Sequence, residues 1–172
     1  FDGGDAQKLA IKDNQRFAIV QPAGHEENAY IMWIRQDWLN ILGMDAPKTF
    51  DQLTALLKAI YENDPANTGK KNYIPLGLST MAWTGSINGL YNVLGAYKSI
   101  WLKKADGYVY SSIQPEMKEA LRQIANYYKL GYISPTYYNA GDSRIAELMG
   151  LNRVGVAFAN YVSGIPMADG WK

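Results

Sequence analysis

The stretch between residues 30 and 57 constrains the fold more than any other part of the chain. It begins with the apolar run Tyr-Ile-Met-Trp-Ile and continues through a short segment to Gly43 and a Pro-containing turn. Thr49 and Gln52 then have the spacing of a helix-capping box, and leucines follow at helical intervals. This order predicts a buried strand, a short helix and an amphipathic helix, an alternation typical of α/β domains.

The remainder of the chain repeats this alternation. Asp37 is interpreted as the cap of the short helix, and further helices are predicted to begin at Ser86, Pro115 and Asp142. The helix after Pro115 is expected to bury one stripe, formed by Met117, Leu121, Ile124 and Tyr128. Strands are predicted over residues 16–20, 28–35, 73–78 and 153–159, with a hairpin over 99–102 and 108–111.

Composition restricts the possible functions. The chain has 172 residues, enough for one domain with a substantial core, and its scattered charges sum to only +1. We therefore expect no nucleic-acid surface. Cysteine is absent, which excludes thiol catalysis, disulfides and cysteine-ligated metals. No apolar run approaches the roughly 20 residues of a membrane span.

Four segments, taken in order, resemble a known family. They are residues 34–53, 64–76, 113–135 and 153–161. In this order they are similar to the extracellular solute-binding protein family 1, the carbohydrate-type lipoprotein receptors of bacterial ABC importers. Each segment alone is an ordinary apolar pattern, so the resemblance depends on their order.

The resemblance implies an α/β, periplasmic-binding-protein-like (type II) lobe with a small mixed sheet flanked by helices. Residues 1–27 would be a lead-in with a short hinge strand, 28–161 the second lobe, and 162–172 a return toward a first lobe. That first lobe, the signal peptide and a lipid-anchored cysteine are expected to lie outside these residues. The resemblance also implies an extracytoplasmic, monomeric receptor that meets its ABC permease subunits at the membrane.

The resemblance further implies where ligand binds. Trp83 lies in a loop between a strand and a helix, where the family presents an aromatic platform to a sugar ring. Tyr161 follows the last strand at a position where the family often has Trp, and Asn160 beside it is a candidate partner for a hydroxyl. The alternatives are that Trp83 fills the core and that Asn160 and Tyr161 form an ordinary hinge.

Three further residues are candidates for the ligand site. Arg35 and Asp37 lie at a strand end, where they would pair with each other or bind a hydroxyl. Trp101, in the hairpin, is assigned either to the core or to the cleft.

No metal site, cofactor or catalytic residue is predicted. The loop that starts at Asp64 has the length of a calcium loop, but Ala66 stands where a ligand is needed and Pro75 where the closing acid belongs. His25 and its two acidic neighbours are interpreted as a solvated patch.

Three functions compete at this point. The first is a binding module that captures an oligosaccharide or related polar solute by closure of two lobes. The second is a receptor of the same fold for a peptide, polyamine or other non-sugar solute. The third is a glycosidase fragment, which would need two facing carboxylates about 5–10 Å apart. The sequence contains no nucleophile elbow or phosphate loop, so we expect a receptor and not an enzyme.

Overall fold

The computed structural model describes residues 8, 10–19, 29–67, 72–80 and 84–162. Seven strands and five α-helices are found within these ranges. The strands are β1 (Ile11–Lys12), β2 (Gln15–Arg16), β3 (Tyr30–Ile34), β4 (Ile74–Gly77), β5 (Trp101–Lys104), β6 (Gly107–Tyr110) and β7 (Val154–Asn160). The helices are α1 (Gln36–Leu42), α2 (Phe50–Asn63), α3 (Ile87–Val93), α4 (Pro115–Leu130) and α5 (Asp142–Gly150).

The main sheet has three strands in the order β3–β7–β4. The central strand β7 runs antiparallel to β3 and parallel to β4, so the sheet is mixed. β7 is buried along its whole length, whereas the proline of β4 lies at a sheet edge, where a missing N–H is tolerated. The predicted α/β class with a small mixed sheet is therefore confirmed.

Two hydrophobic clusters pack on this sheet. The larger cluster joins Val156 and Phe158 of β7 to the buried residues of α1, α2, α3 and α4. The smaller cluster joins Ala157 and Ala159 of β7 to α5. Gly89 lets α3 lie directly against β7, since a Cβ atom there would overlap the Phe158 side chain. Helices thus cover both faces of the sheet, and this packing holds its strands in position.

The capping box predicted for α2 is present, with one difference. The Thr49 hydroxyl accepts a hydrogen bond from the Gln52 backbone N–H at 3.2 Å, as predicted. The Gln52 side chain reaches one residue further back and accepts from the backbone N–H of Lys48 at 2.7 Å. The leucines of the predicted stripe are buried, and the helix ends at Asn63 as expected.

The prediction that Asp37 caps α1 is wrong. Arg35 occupies the N-cap position of α1, and Asp37 lies in the first turn, where its carboxylate pairs with the Arg35 guanidinium. The predicted end at Gly43 is confirmed, since this residue adopts the left-handed conformation that closes a helix.

At two positions on α4, the buried residue is the one that precedes the predicted residue. Ala120 and Tyr127 are buried, whereas Leu121 and Tyr128 are about half exposed. The Tyr127 ring stacks on Phe50 of α2 with the ring centroids 5.9 Å apart. This contact with a distant helix selects Tyr127 over its neighbour.

The strand predicted over residues 16–20 is also wrong. β1 and β2 form a small antiparallel hairpin, joined by Asp13 and Asn14, which both have positive φ angles. Asp and Asn tolerate this conformation better than most residues, so the pair forms a tight turn. Residues 17–19 have no regular structure.

Candidate functional site

The candidate site lies at one end of the main sheet, where β4 and β7 finish and β3 begins. This end of the strands is called the carboxyl edge. Tyr30 of β3 pairs with Asn160 of β7, and the parallel strand β4 ends at Gly77 on the same side. Ligands of open α/β sheets bind outside the carboxyl ends of strands, because the connecting loops leave polar groups open there. The loops at this edge therefore form the candidate site.

The loop after β4 is built into the carboxyl edge. Ser79 pairs with Ser86, and Thr84 pairs with Ala159 near the end of β7. Ser86 donates its backbone N–H to the carbonyl of Phe158 at 2.9 Å and caps α3 through its side chain. The returning half of this loop thus lies between β7 and the continuation of β4.

Asn160 and Tyr161 differ sharply in exposure. Asn160 is the last residue of β7 and only 4% exposed, so little of its side chain is open to a ligand. Tyr161 follows directly and is 53% exposed. Of the predicted pair, Tyr161 is therefore the residue positioned to contact a ligand, while Asn160 lies beneath the surface.

Tyr30 adds a further aromatic residue to this edge. Its hydroxyl oxygen accepts a hydrogen bond from the side-chain amide of Asn88, in the first turn of α3, at 3.3 Å. Hydroxyls, amides and phenol rings thus meet at the carboxyl edge, a combination that suits a neutral polar ligand with apolar faces.

The segment from Tyr137 to Ala140 also reaches the carboxyl edge, which the sequence did not predict. The buried hydroxyl of Ser79 donates to the carbonyl oxygen of Ala140 at 2.8 Å. The hydroxyl of Thr80 lies 3.4 Å from the carbonyl oxygen of Tyr138. No local motif signals this contact, because about 60 residues separate the partners. Tyr138 itself is 58% exposed.

Trp83, predicted as an aromatic platform, lies outside the described residues. Its binding role stays a prediction. The flanking residues Thr80 and Thr84 are described, and the contacts above place both at the carboxyl edge.

Arg35 and Asp37 lie at the opposite end of the sheet. The Arg35 backbone N–H donates to Gly155 at the start of β7, five residues before Asn160, or roughly 16 Å at the rise of a strand. The structure therefore separates this pair from Asn160 and Tyr161. A hydroxyl-binding role for Arg35 and Asp37 stays untested.

The predicted pairing of Arg35 with Asp37 is confirmed. The Arg35 Nε atom donates to one Asp37 carboxylate oxygen at 2.8 Å, and a second guanidinium nitrogen contacts the other oxygen. The remaining terminal nitrogen donates to Asn152 Oδ1 at 2.6 Å, and the guanidinium carbon lies 5.0 Å from the Trp38 ring centroid. The hydrogen bonds from Arg35 hold the pKa of the Asp37 carboxyl below its ordinary value.

Trp101 lies on the β5–β6 hairpin and is 66% exposed, so it does not belong to the core. Its ring packs against Tyr110 on the paired strand, with the centroids 5.4 Å apart. The ligand-binding role predicted for Trp101 is untested by these contacts.

In the loop after α2, Asp64 and Asn67 both have positive φ angles. The Asn67 backbone N–H donates to the carbonyl oxygen of Asp64 at 2.8 Å and closes a turn.

Within the described ranges, no three acidic or histidine side chains gather where they could hold a metal ion. His25 lies outside these ranges. No helix among the described residues is long and apolar enough to cross a membrane.

Comparisons with known proteins identify the class of protein that this chain resembles. No family model matches it. The polygalacturonan/rhamnogalacturonan-binding protein YtcQ of Bacillus subtilis (strain 168) is 25% identical over 139 residues, which is 79% of this chain and 27% of that protein. The chain therefore spans about a quarter of this relative.

Solved structures show the same fold. An extracellular solute-binding protein from Bifidobacterium longum subsp. infantis matches 98% of this chain and 38% of its own, with a TM-score of 0.77 and 20% identity. The ABC-transporter substrate-binding protein FusA of S. pneumoniae, in complex with kestose, matches 78% of this chain and 28% of its own, with a TM-score of 0.67 and 24% identity.

These matches confirm the resemblance found in the sequence. The names of YtcQ and of the FusA complex describe carbohydrate-binding proteins, and the third protein is an extracellular solute-binding protein. The chain has the fold of a part of the two solved structures. These relatives are binding proteins and not enzymes, and the name of one describes an extracellular protein.

Proposed function

We propose that this chain is the second lobe of an ABC-importer receptor that captures an oligosaccharide or related polar solute. The observation that carries the proposal is Tyr161, half exposed at the carboxyl end of the central strand, in a chain whose relatives bind sugar polymers and oligosaccharides. Phenol rings pack on the apolar faces of sugars while hydroxyl and amide groups bind their edges.

The mechanism is closure of two lobes around the ligand, with no bond made or broken. β3 begins and β7 ends as directly paired neighbours, at Tyr30 and Asn160. Both connections toward a first lobe would therefore cross at one place, which is the geometry of a hinge. The closed form would then be recognised by permease subunits at the membrane, where an anchor outside this chain would hold the receptor.

Within the proposed site, Tyr161 and Trp83 are the aromatic contacts, and Asn160 is the candidate partner for a hydroxyl. The assignment of Trp83 follows from the family resemblance and from the position of its neighbours Thr80 and Thr84. Of the remaining candidates, Arg35 and Asp37 bind each other at the far end of the sheet, and Trp101 lies on the β5–β6 hairpin.

The test is a thermal-shift screen of the intact two-lobed receptor against oligosaccharides, amino acids, peptides and polyamines. A ligand that binds only the folded state raises the melting temperature by mass action, by an amount that grows with its concentration over Kd. We expect a shift with one class of oligosaccharide and its loss in Trp83→Ala.

The matched control is Tyr108→Ala, because Tyr108 is an exposed aromatic residue that is not a candidate for the ligand site. A shift only with non-sugar solutes would keep the receptor and overturn its proposed ligand. Hydrolysis of the added oligosaccharide would overturn the receptor assignment itself.

A further inference from the structure

We propose that a cavity beside β4 is a second ligand site, which binds a small organic carboxylate with an apolar body. The cavity has a volume of about 400 Å³ and lies between α5 and the segment 133–136, which follows α4. Pockets that hold small molecules in proteins have volumes of about 300–1,000 Å³ and a mainly apolar lining. The cavity is therefore large enough for a compact ligand.

This cavity is a site of its own and not an extension of the site at Tyr161. It runs alongside β4, with Ala140 and Arg153 among its lining residues. Arg153 comes directly before β7, whose far end at Asn160 is roughly 20 Å away at the rise of a strand. Neither Asn160 nor Tyr161 is among the described lining residues. The second site therefore does not depend on the function proposed above.

The floor of the cavity is apolar and well packed. Tyr73 and Ile133 belong to the larger hydrophobic cluster, and Ile145 and Leu148 belong to the smaller one. All four line the cavity, and none is more than 8% exposed. The cavity thus lies where the two clusters meet. Side chains that are already fixed by packing lose little freedom when a ligand covers them, so the floor is preorganised for an apolar group.

Two arginines give the cavity its charge. Arg144 and Arg153 line it, and its described lining residues include no acidic side chain. Arg144 precedes Leu148 by one turn of α5, which places the two side chains next to each other on the helix. The backbone N–H of Arg153 donates to the carbonyl oxygen of Leu148 at 2.9 Å. The two arginines therefore flank the same residue of the floor.

Both guanidinium groups are available to an anion. Arg144 pairs with Glu147, but both side chains are more than half exposed, so this pair contributes little and is easily exchanged. Arg153 is partly buried and makes no side-chain hydrogen bond or ion pair in the described part of the chain. Arg35, in contrast, uses its guanidinium on Asp37 and Asn152. A ligand at Arg153 would thus gain a partner without breaking a strong contact.

These features define the chemical class of the ligand. A planar guanidinium binds a carboxylate through two parallel N–H bonds, so the arginines favour this anion. Tyr61 and Tyr128 also line the cavity, and aromatic rings pack well on a ring-sized apolar body. A neutral sugar would place hydroxyls against Ile145 and Leu148, where they would lose their hydrogen bonds to water without replacement.

The experiment titrates the intact receptor with benzoate, phenylacetate and 3-phenylpropionate at pH 7, each beside its neutral amide, by calorimetry. We expect at least one carboxylate to bind, and to bind at least tenfold more tightly than its amide. Arg153→Met keeps a long side chain and removes the charge. This variant should weaken binding of the carboxylate about tenfold, because hydrogen bonds to charged groups are stronger than neutral ones.

The control is Arg122→Met, because Arg122 is an exposed arginine of α4 that pairs with Glu119 and is not a lining residue of the cavity. It should keep wild-type affinity. Thr136→Trp tests the site by a second route, since Thr136 is an exposed lining residue and a large side chain there should obstruct the cavity. The melting temperature of each variant shows whether it is folded.

Three results would overturn the second site. They are no binding of any of the three carboxylates, equal binding of a carboxylate and its amide, and an affinity that neither Arg153→Met nor Thr136→Trp lowers. None of them bears on the oligosaccharide receptor, which the thermal-shift screen tests separately.

Discussion

The two ends of the central strand carry similar side chains and use them differently. At the start of β7, Arg35 binds Asp37 and Asn152 and lies over Trp38, so its hydrogen-bonding capacity is used within the chain. At the end of β7, the hydroxyls of Ser79 and Ser86 are also bonded within the chain, but Tyr161 is half exposed. The comparison teaches that residue type alone does not identify a binding site. A side chain can contact a ligand only if it is exposed and is not already bonded within the chain.

The largest expected effect tests the end where Arg35 is paired. Arg35→Ala should lower the free energy of unfolding by about 2–3 kcal/mol, because it removes charged hydrogen bonds and the contact with Trp38. Ligand affinity of the folded protein should not change. Chemical denaturation and titration calorimetry on the same preparation measure the two quantities.

Arg144→Ala is the matched control for this prediction. Arg144 pairs with Glu147 at 2.8 Å, but both side chains are more than half exposed. Pairs of this kind contribute little, so we expect a change within about 0.5 kcal/mol. Normal stability but reduced affinity in Arg35→Ala would show that this end also binds ligand, and the comparison would fail.

The next effect tests the carboxyl edge. Tyr161→Ala should weaken ligand binding about tenfold, since it removes an exposed aromatic contact, while the free energy of unfolding changes by less than about 0.5 kcal/mol. Titration calorimetry with the ligand found in the screen measures the affinity. A loss of stability without a loss of affinity would make Tyr161 part of the hinge and not of the site.

The smallest effect concerns pH. The pKa of Asp37 is lowered in the folded state, chiefly by its hydrogen bonds with Arg35, so the folded state favours the carboxylate. The contribution of the Asp37 carboxylate to the free energy of unfolding is therefore present above its ordinary pKa of 3.8. It is lost as the pH falls through the lower pKa that Asp37 has in the folded state. Since the Asp37 side chain is about half exposed, we expect a contribution below about 1 kcal/mol.

The measurement is the free energy of unfolding of the wild type and of Asp37→Asn, from pH 6 down to the lowest pH at which both proteins remain folded. The variant should be less stable at pH 6, and the gap should narrow as the pH falls below the ordinary pKa of an aspartate. A constant gap across this range would mean that Asp37 acts through packing and not through its charge.

Much of the fold was predictable because its signals are local. Thr49 and Gln52 form a cap within three residues, and Gly43 ends a helix through its own φ angle. The α4 stripe was not fully predictable, because Tyr127 and Tyr128 are both suitable core residues. The choice depends on Phe50, more than 70 residues away.

The candidate site was predictable only in part, for the same reason. Tyr161 follows a strand that the sequence identifies, so its place at the sheet edge could be inferred. Tyr138 reaches that edge through Ser79 and Ala140, a contact between residues 61 positions apart. The partner of Arg35 at Asn152 lies 117 positions away and was equally hidden. Long-range hydrogen bonds thus decide which polar residues are bonded within the chain.

The pairing of Tyr30 with Asn160 has a consequence for protein engineering. Paired residues of antiparallel strands have Cα atoms about 4.5–5.5 Å apart, so the unit between residues 30 and 160 starts and finishes at nearly the same point. Such a unit can be transplanted into a surface loop of another protein, or its ends can be joined by a short linker and new termini opened at the tip of the β5–β6 hairpin. Circular permutation at that turn would leave the three-stranded sheet uncut.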